Sequence, residues 1–200
     1  MSILNTEHLS PITDLEELDK LDEILSWAVR HQIKPRWSMK ITLFKLPEWV
    51  AVPVISESLI SPIVQEQLQQ TFMALGYSEI FAVILFSKGF PAYRVPVTLE
   101  GLMELRREMV SCCYALFAGE SEPDWAIISI ESEVDVIAGS AKFVRQVLGC
   151  EIEEGFSHFQ NFIMHEPMPK QLREYLHHVH DCLKDNYQSA EVGAEFRLSF

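Results

Sequence analysis

Ile80 to Phe86 is apolar at every position. A strand with one wet face alternates polar and apolar residues, so an unbroken run of this kind reads as a strand covered on both faces and placed in the middle of a sheet. Tyr114 to Phe117 repeats the signal. Trp125 to Ile130 and Val134 to Ala138 lie on either side of a short turn, Glu131 to Glu133, the spacing of an antiparallel hairpin. Two further runs, Lys40 to Phe44 and Trp49 to Ile55, read as short strands. Pro53 lacks an N–H for a ladder, so the second of these suits an edge position or a bulge, and Pro91 and Pro96 assign Tyr93 to Val97 to an edge.

A sheet buried on both faces needs helices to cover it. Thr13 can cap a helix over residues 14–31, with Glu16 returning the bond and Leu15, Leu18, Leu21, Leu25 and Ala28 at helical spacing. Ser61 and Pro62 open a second helix, over 62–75, that turns Val64, Leu68, Thr71, Phe72 and Leu75 inward and stops at Gly76. Thr98 caps a third, in which Leu99, Leu102, Leu105 and Met109 face the core. Gly139 and Ser140 open a fourth, with Phe143, Val144, Val147 and Leu148 inside and Gly149 as its stop. Residues 151–164 form a weaker helix interrupted by Gly155. Pro169 begins a clear one carrying Leu172, Tyr175, Leu176, Val179 and Leu183 on one face. The expected fold is a single α+β domain over residues 1–200. A mostly antiparallel sheet of five to seven strands is covered by helices, the C-terminal part is helical, and residues 1–12 and 185–200 are loose ends.

At 200 residues the chain removes roughly 70% of its unfolded surface from water and needs no disulfide or metal to fold. The cysteines agree, because Cys112, Cys113, Cys150 and Cys182 show neither a CxxC pair nor zinc-ligand spacing and fit a reduced, cytoplasmic compartment. No apolar stretch approaches the ~20 residues of a membrane helix, so no membrane association is expected. Sixteen Lys and Arg against 29 Asp and Glu leave a formal charge of −13, which opposes nucleic acid and anionic lipid and favours a basic protein partner. Glu16, Glu17, Asp19 and Glu23, on the outward face of the first helix, are the expected contact residues. The basic strip from Arg30 to Lys45, with Trp37 and Phe44 interleaved, has the composition of a single-strand nucleic-acid track. Pairing in cis with the acidic helix before it accounts for that strip equally well.

Motifs for chemistry are incomplete. There is no Gly-x-Ser-x-Gly elbow, no Gly-x-Gly-x-x-Gly and no P-loop. Gly139, Ser140 and Lys142, with Arg145 nearby, form a weak anion-binding candidate at a helix start. His177, His178 and His180 are a weak metal candidate, since Glu174 and His177 match half of a di-iron site while the ligands diverge around the helix. Glu131, Glu133 and Asp135 read as solvated residues of the hairpin turn. No cofactor is expected. The balance favours a non-catalytic acidic interaction module, in one version an antagonist or immunity-type protein that neutralises a basic partner. The alternative is an enzyme or small-molecule binder with a site between sheet and helices. Phe196, Leu198 and Phe200 alternate at strand spacing and suggest a late strand or an apolar tail, docked on the body or on a second copy in a homodimer.

Overall fold

The computed structural model describes residues 7–34, 39–44, 49–55, 62–85, 92–109, 112–119, 123–130 and 134–197, with the backbone alone for 27–34, 39–44, 62–63, 130, 186 and 188–197. The chain runs β1 (Ser10–Ile12), α1 (Leu15–Ala28), β2 (Val29–Lys34), β3 (Met39–Phe44), β4 (Val50–Ile55), α2 (Pro62–Ala74), β5 (Glu79–Ile84), β6 (Ala92–Pro96) and α3 (Leu99–Glu108). It continues with β7 (Tyr114–Phe117), β8 (Trp125–Ile130), β9 (Val134–Gly139), α4 (Ala141–Leu148), α5 (Ile152–His165) and α6 (Lys170–Arg197). Seven strands join in the order β1-β6-β5-β7-β8-β9-β4, each pair antiparallel, while β2 and β3 form a separate antiparallel hairpin. This is the expected α+β fold with a helical C-terminal part.

Ile80 to Ile84 of the apolar run lie in β5, between β6 and β7, where both of its edges are paired, and Phe86 lies outside the described residues. Pro53 sits on β4, at the sheet edge, where a missing donor costs little. β6 is not the edge its prolines suggest. The three-residue β1 pairs outside it, opposite Ala92 to Arg94, so Pro96 falls beyond that pairing and removes no bond from it. Residues 7–12, expected to be loose, are thereby held.

Cross-strand register shows what each face carries, because residues directly opposite one another share a face. Ile84, Tyr114, Ser129, Asp135 and Val54 form a transverse row across β5, β7, β8, β9 and β4. The next row on that face is Ala82, Leu116, Ile127, Ile137 and Val52, and the one after it includes Trp125, Gly139 and Val50. Phe72 of α2 and Phe143 of α4 stack on the Trp125 ring at 4.6 and 5.2 Å, so these helices cover this face. Gly139 is required here. Its φ is +153°, and a Cβ would lie 3.0 Å from Trp125 Cβ, Phe143 Cδ1 and the Asp124 carbonyl. On the opposite face Arg94, Phe81, Phe117, Ala126 and Ala138 are in register, next to α1.

Several helix boundaries differ from the sequence reading. The cap of α1 is Asp14, not Thr13: its Oδ1 accepts from the backbone N–H of Glu16 at 2.8 Å and of Glu17 at 3.1 Å. That shift leaves Leu15 at 76% exposure instead of in the core, and the chain passes into β2 at Val29. Gly155 does not interrupt α5. It lets the helix approach Leu148 and Val52, which a Cβ would meet at 3.0 and 3.1 Å. α6 continues through Arg197, which replaces the expected strand from Ala194 with helix; residues 198–200, with Leu198 and Phe200, lie outside the described residues.

Candidate functional site

Two charged regions stand out, one open and one closed. The open region is a cleft of about 790 Å³ beside α1, lined by five carboxylates (Asp14, Glu16, Glu17, Asp19 and Glu23) against two cations, Lys20 and Arg94. Acids belong at this helix start, where the unpaired N–H groups carry partial positive charge. Leu21, Ile24 and Leu25 of α1 are buried in the core, and Leu21 and Ile24 also line the cleft among the acids. Arg94 reaches in from β6 above the Phe81 ring, 5.6 Å from its centroid. It donates to Glu79 Oε1 at 3.0 Å and pairs with Glu17, and these two bonds raise its pKa above the ordinary arginine value. Glu17 is therefore half-buried and already neutralised. Of the four predicted contact residues, Glu16, Asp19 and Glu23 are exposed.

The closed region is the polar row beneath α3. Arg106 Nη1 donates to both Asp135 carboxylate oxygens, at 3.1 and 2.9 Å, with side-chain exposures of 7% and 0%. Its guanidinium lies 5.6 Å from the Tyr114 ring centroid. Burial opposes the Arg106 charge, yet Asp135 and Tyr114 more than restore it and the pKa rises. Burial also pushes the Tyr114 phenol up to about 12, with the Arg106 charge pulling it down and that of Asp135 pushing it further up. The assignment of Asp135 to a solvated turn is thus overturned. Glu131 and Glu133 lie outside the described residues.

The signal for this row was present in the sequence. Asp135 shares strand parity with Ile137 and so must face the same layer, and Arg106 falls on the helical stripe of Leu102, Leu105 and Met109. The same helix contributes Glu104, 5% exposed, whose carboxylate accepts from the backbone N–H groups of Glu7 (2.8 Å) and His8 (2.7 Å) and pins the segment that leads into β1.

The other predicted sites are not assembled as the spacing suggested. Ser140 Oγ accepts from the Phe143 N–H at 3.2 Å as a cap, Gly139 is packed against Trp125, Arg145 donates to Glu151 at 2.8 Å, and only Lys142 of that candidate is exposed and uncommitted to packing. The histidines diverge. His180 is 3% exposed between Phe156 and Phe159, with Nδ1 3.0 Å from Asp181 Oδ1, so it is a core residue and not a solvated one. His178 Nε2 lies 3.6 Å from Cys182 Sγ, and His177 is half-buried on another side of the helix. Among the described residues no three His, Cys, Asp or Glu side chains converge as a metal site.

Of the basic strip, Arg30 and Lys34 fall on β2 and Lys40 and Phe44 on β3, where the backbone alone is described, and Arg36, Trp37 and Lys45 lie outside the described residues. The four cysteines form no disulfide, with Cys112 and Cys113 in the loop before β7. Among the described residues no helix is long and apolar enough to cross a membrane. No family model, no curated protein and no solved structure gives a match to this chain.

Proposed function

We propose that this chain is a non-catalytic interaction module of the cytoplasm whose α1 cleft receives a basic protein partner, in the manner of an antagonist or immunity-type protein. The observation that carries the reading is the net −3 lining of that cleft, five carboxylates less two cations, with Glu16, Asp19 and Glu23 exposed along one helix. Charge of one sign on an open wall accelerates encounter with an oppositely charged partner and suppresses wrong ones. The test is capture from the source cell at low salt, followed by purification of the captured protein. Its affinity is then measured for the wild type and for Glu16→Gln/Asp19→Asn/Glu23→Gln. A basic partner whose affinity falls at least tenfold in the triple variant supports the reading, and equal affinity removes α1 from it. A homodimer formed through the C-terminal tail belongs to the same proposal. Deleting residues 194–200 then dissociates it in light scattering, and an unchanged mass counts against it.

A second reading, a small-molecule binder or enzyme with a site between sheet and helices, has one observation in its favour. A cavity of about 160 Å³ lies between β4 and helices α2, α4 and α5, with Ile137 and Phe159 deep in it and Cys150 and His158 on its wall. It is smaller than the ~300–1,000 Å³ of ordinary ligand sites. Burial and the neighbouring Glu154 and Glu151 raise the Cys150 pKa, which disfavours a thiolate nucleophile. The interaction reading therefore leads.

A further inference from the structure

The hairpin of β2 and β3 is set apart from the rest of the chain in both topology and charge. Among the described residues its strands pair only with each other, from Val29 opposite Phe44 to Lys34 opposite Met39. Two strands alone are marginally stable in water and need a covered face. Residues 29–47 hold five Lys and Arg and no Asp or Glu, whereas the rest of the chain holds 11 Lys and Arg against 29 acids, so a formal +5 is attached to a body of −18. Register sorts the hairpin into two faces. One takes Arg30, Gln32 and Lys34 of β2 opposite Leu43, Ile41 and Met39 of β3, two cations beside an apolar row; the other takes Val29, His31 and Ile33 opposite Phe44, Thr42 and Lys40.

The α1 cleft has the complementary composition, five carboxylates against two cations around Leu21, Ile24 and Phe81. We infer that this cleft receives the β2–β3 hairpin of a second copy of the chain, and that two copies exchange hairpins reciprocally in a twofold dimer. The inference rests on the α1 cleft being a receptor for a basic protein surface, and it names that surface. Both halves match in kind, cations for the carboxylates and an apolar row for the three apolar residues among them. The hairpin is placed to reach a neighbour. α1 ends at Ala28 and β2 begins at Val29 with no turn between them, while the acids lie between Asp14 and Glu23, from the start of the helix. Folding the hairpin back onto its own cleft needs a reversal, which takes a turn of about four residues, and a second copy meets the cleft without one. Donor and receptor are carried by one chain, so a twofold axis repeats the contact and closes the assembly at two copies. The charge of −13 on each copy opposes association at long range. At 0.1 M salt the Debye length is about 10 Å, which screens the distant charges and leaves the contact pairs.

Sedimentation equilibrium of the full chain and of two charge-reversed variants tests this. The variants are Arg30→Glu/Lys34→Glu/Lys40→Glu in the hairpin and Glu16→Lys/Asp19→Lys/Glu23→Lys in the cleft, with folding checked by thermal unfolding. The wild type is expected to dimerise at 0.1 M salt and to lose at least tenfold in affinity at 1 M, where the Debye length is about 3 Å. Each variant alone should be a monomer, since its hairpin and cleft then carry the same sign. An equimolar mixture should dimerise again, because each hairpin then meets a cleft of opposite sign. A wild type that is monomeric at 0.1 M salt overturns the inference whether or not the variants fold. A dimer that persists in either variant alone is held elsewhere, as at the C-terminal tail, and overturns it too, as does a mixture of two folded variants that stays monomeric. A monomeric wild type that binds a single-stranded oligonucleotide, with binding lost in the hairpin variant, assigns the basic strip to nucleic acid instead. The reading of the cleft fails separately, when a captured basic protein binds Glu16→Gln/Asp19→Asn/Glu23→Gln as tightly as the wild type.

Discussion

The cleft beside α1 and the row beneath α3 use the same chemistry, carboxylates facing a guanidinium, and differ in how much water they keep. In the cleft Arg94 is 40% exposed on its side chain and shares itself between Glu17 and Glu79; solvent screens every charge, and the arrangement tolerates five acids against two bases. In the row Asp135 is fully buried and its one counter-charge is held by two hydrogen bonds. Removing a charge from the cleft leaves water to take its place. Removing one from the row leaves a buried ion with nothing to replace the lost partner. The same pair type is thus a surface preference in one region and a structural requirement in the other.

The largest test of that contrast is Asp135→Ala. It strands Arg106 in the interior and is expected to cost about 3–5 kcal/mol, a large share of the stability of an ordinary domain. Urea midpoints measure it. The double variant Arg106→Met/Asp135→Leu should recover most of the loss, because apolar residues of similar volume avoid the desolvation penalty altogether. A loss below ~1 kcal/mol for Asp135→Ala would mean that the row is treated like a surface pair, and the contrast would fail.

Next in size is an alkaline effect of Tyr114. The phenol titrates near its usual 10 in the unfolded chain and at about 12 in the folded one, so between these values the unfolded state has lost a proton that the folded state retains. Stability is therefore full below pH 10 and declines as pH rises toward 12, by about 3 kcal/mol from this group. Tyr114→Phe should flatten the stability profile in that window by a comparable amount while leaving the slope below pH 9 unchanged. A profile that is parallel to wild type between pH 10 and 12 would place Tyr114 in contact with solvent.

How much of this was legible differs between the two regions for a physical reason. The sheet, its hairpin and the mid-sheet place of Ile80 to Ile84 follow from local patterns, which strand geometry translates directly, and Pro53 narrows β4 to an edge or a bulge, of which the structure has the edge. α1 was also legible as an acidic amphipathic helix, and the acids of the cleft with it. Its cap was missed by one residue because Thr13 and Asp14 are both competent caps, and only the hydrogen bonds of Asp14 distinguish them. Pairings between distant segments were not legible. β1 is three residues long with a proline in it, too short to carry a period, and it exists because β6 offers an edge and Glu104 holds the backbone of Glu7 and His8. Asp135 was read from its neighbours in the turn; its parity with Ile137 and the stripe position of Arg106 carried the information instead, and neither residue reveals the other without the tertiary contact.

A smaller effect is expected for Arg94→Met. The guanidinium bridges Glu17 and Glu79 above Phe81, but it is exposed and screened, so the loss should stay within about 1 kcal/mol. Its informative consequence is electrostatic. With Arg94 gone the cleft lining changes from net −3 to net −4, and a basic partner should associate faster at low salt. A slower association would show that Arg94 contacts the partner itself.

The smallest effect on the fold, and the sharpest on the proposed function, is expected from Glu16→Lys/Asp19→Lys/Glu23→Lys. Each swap adds two charges, so the formal net charge moves from −13 to −7. All three side chains are exposed, and substitutions at such positions usually change stability by no more than ~0.5 kcal/mol each. Glu16 stands apart, since it lies in the first turn of α1, where a lysine opposes the helix dipole and costs roughly 0.3–1 kcal/mol. The summed loss is thus small beside that of Asp135→Ala, and thermal unfolding should remain cooperative. Association responds differently, because encounter depends on the summed field and not on any one bond. The rate toward a basic partner should fall at least tenfold at low salt and converge on wild type near 1 M, where the Debye length is only about 3 Å. A variant that folds normally and associates at the wild-type rate at low salt would leave the α1 cleft as a solvated face with no part in binding.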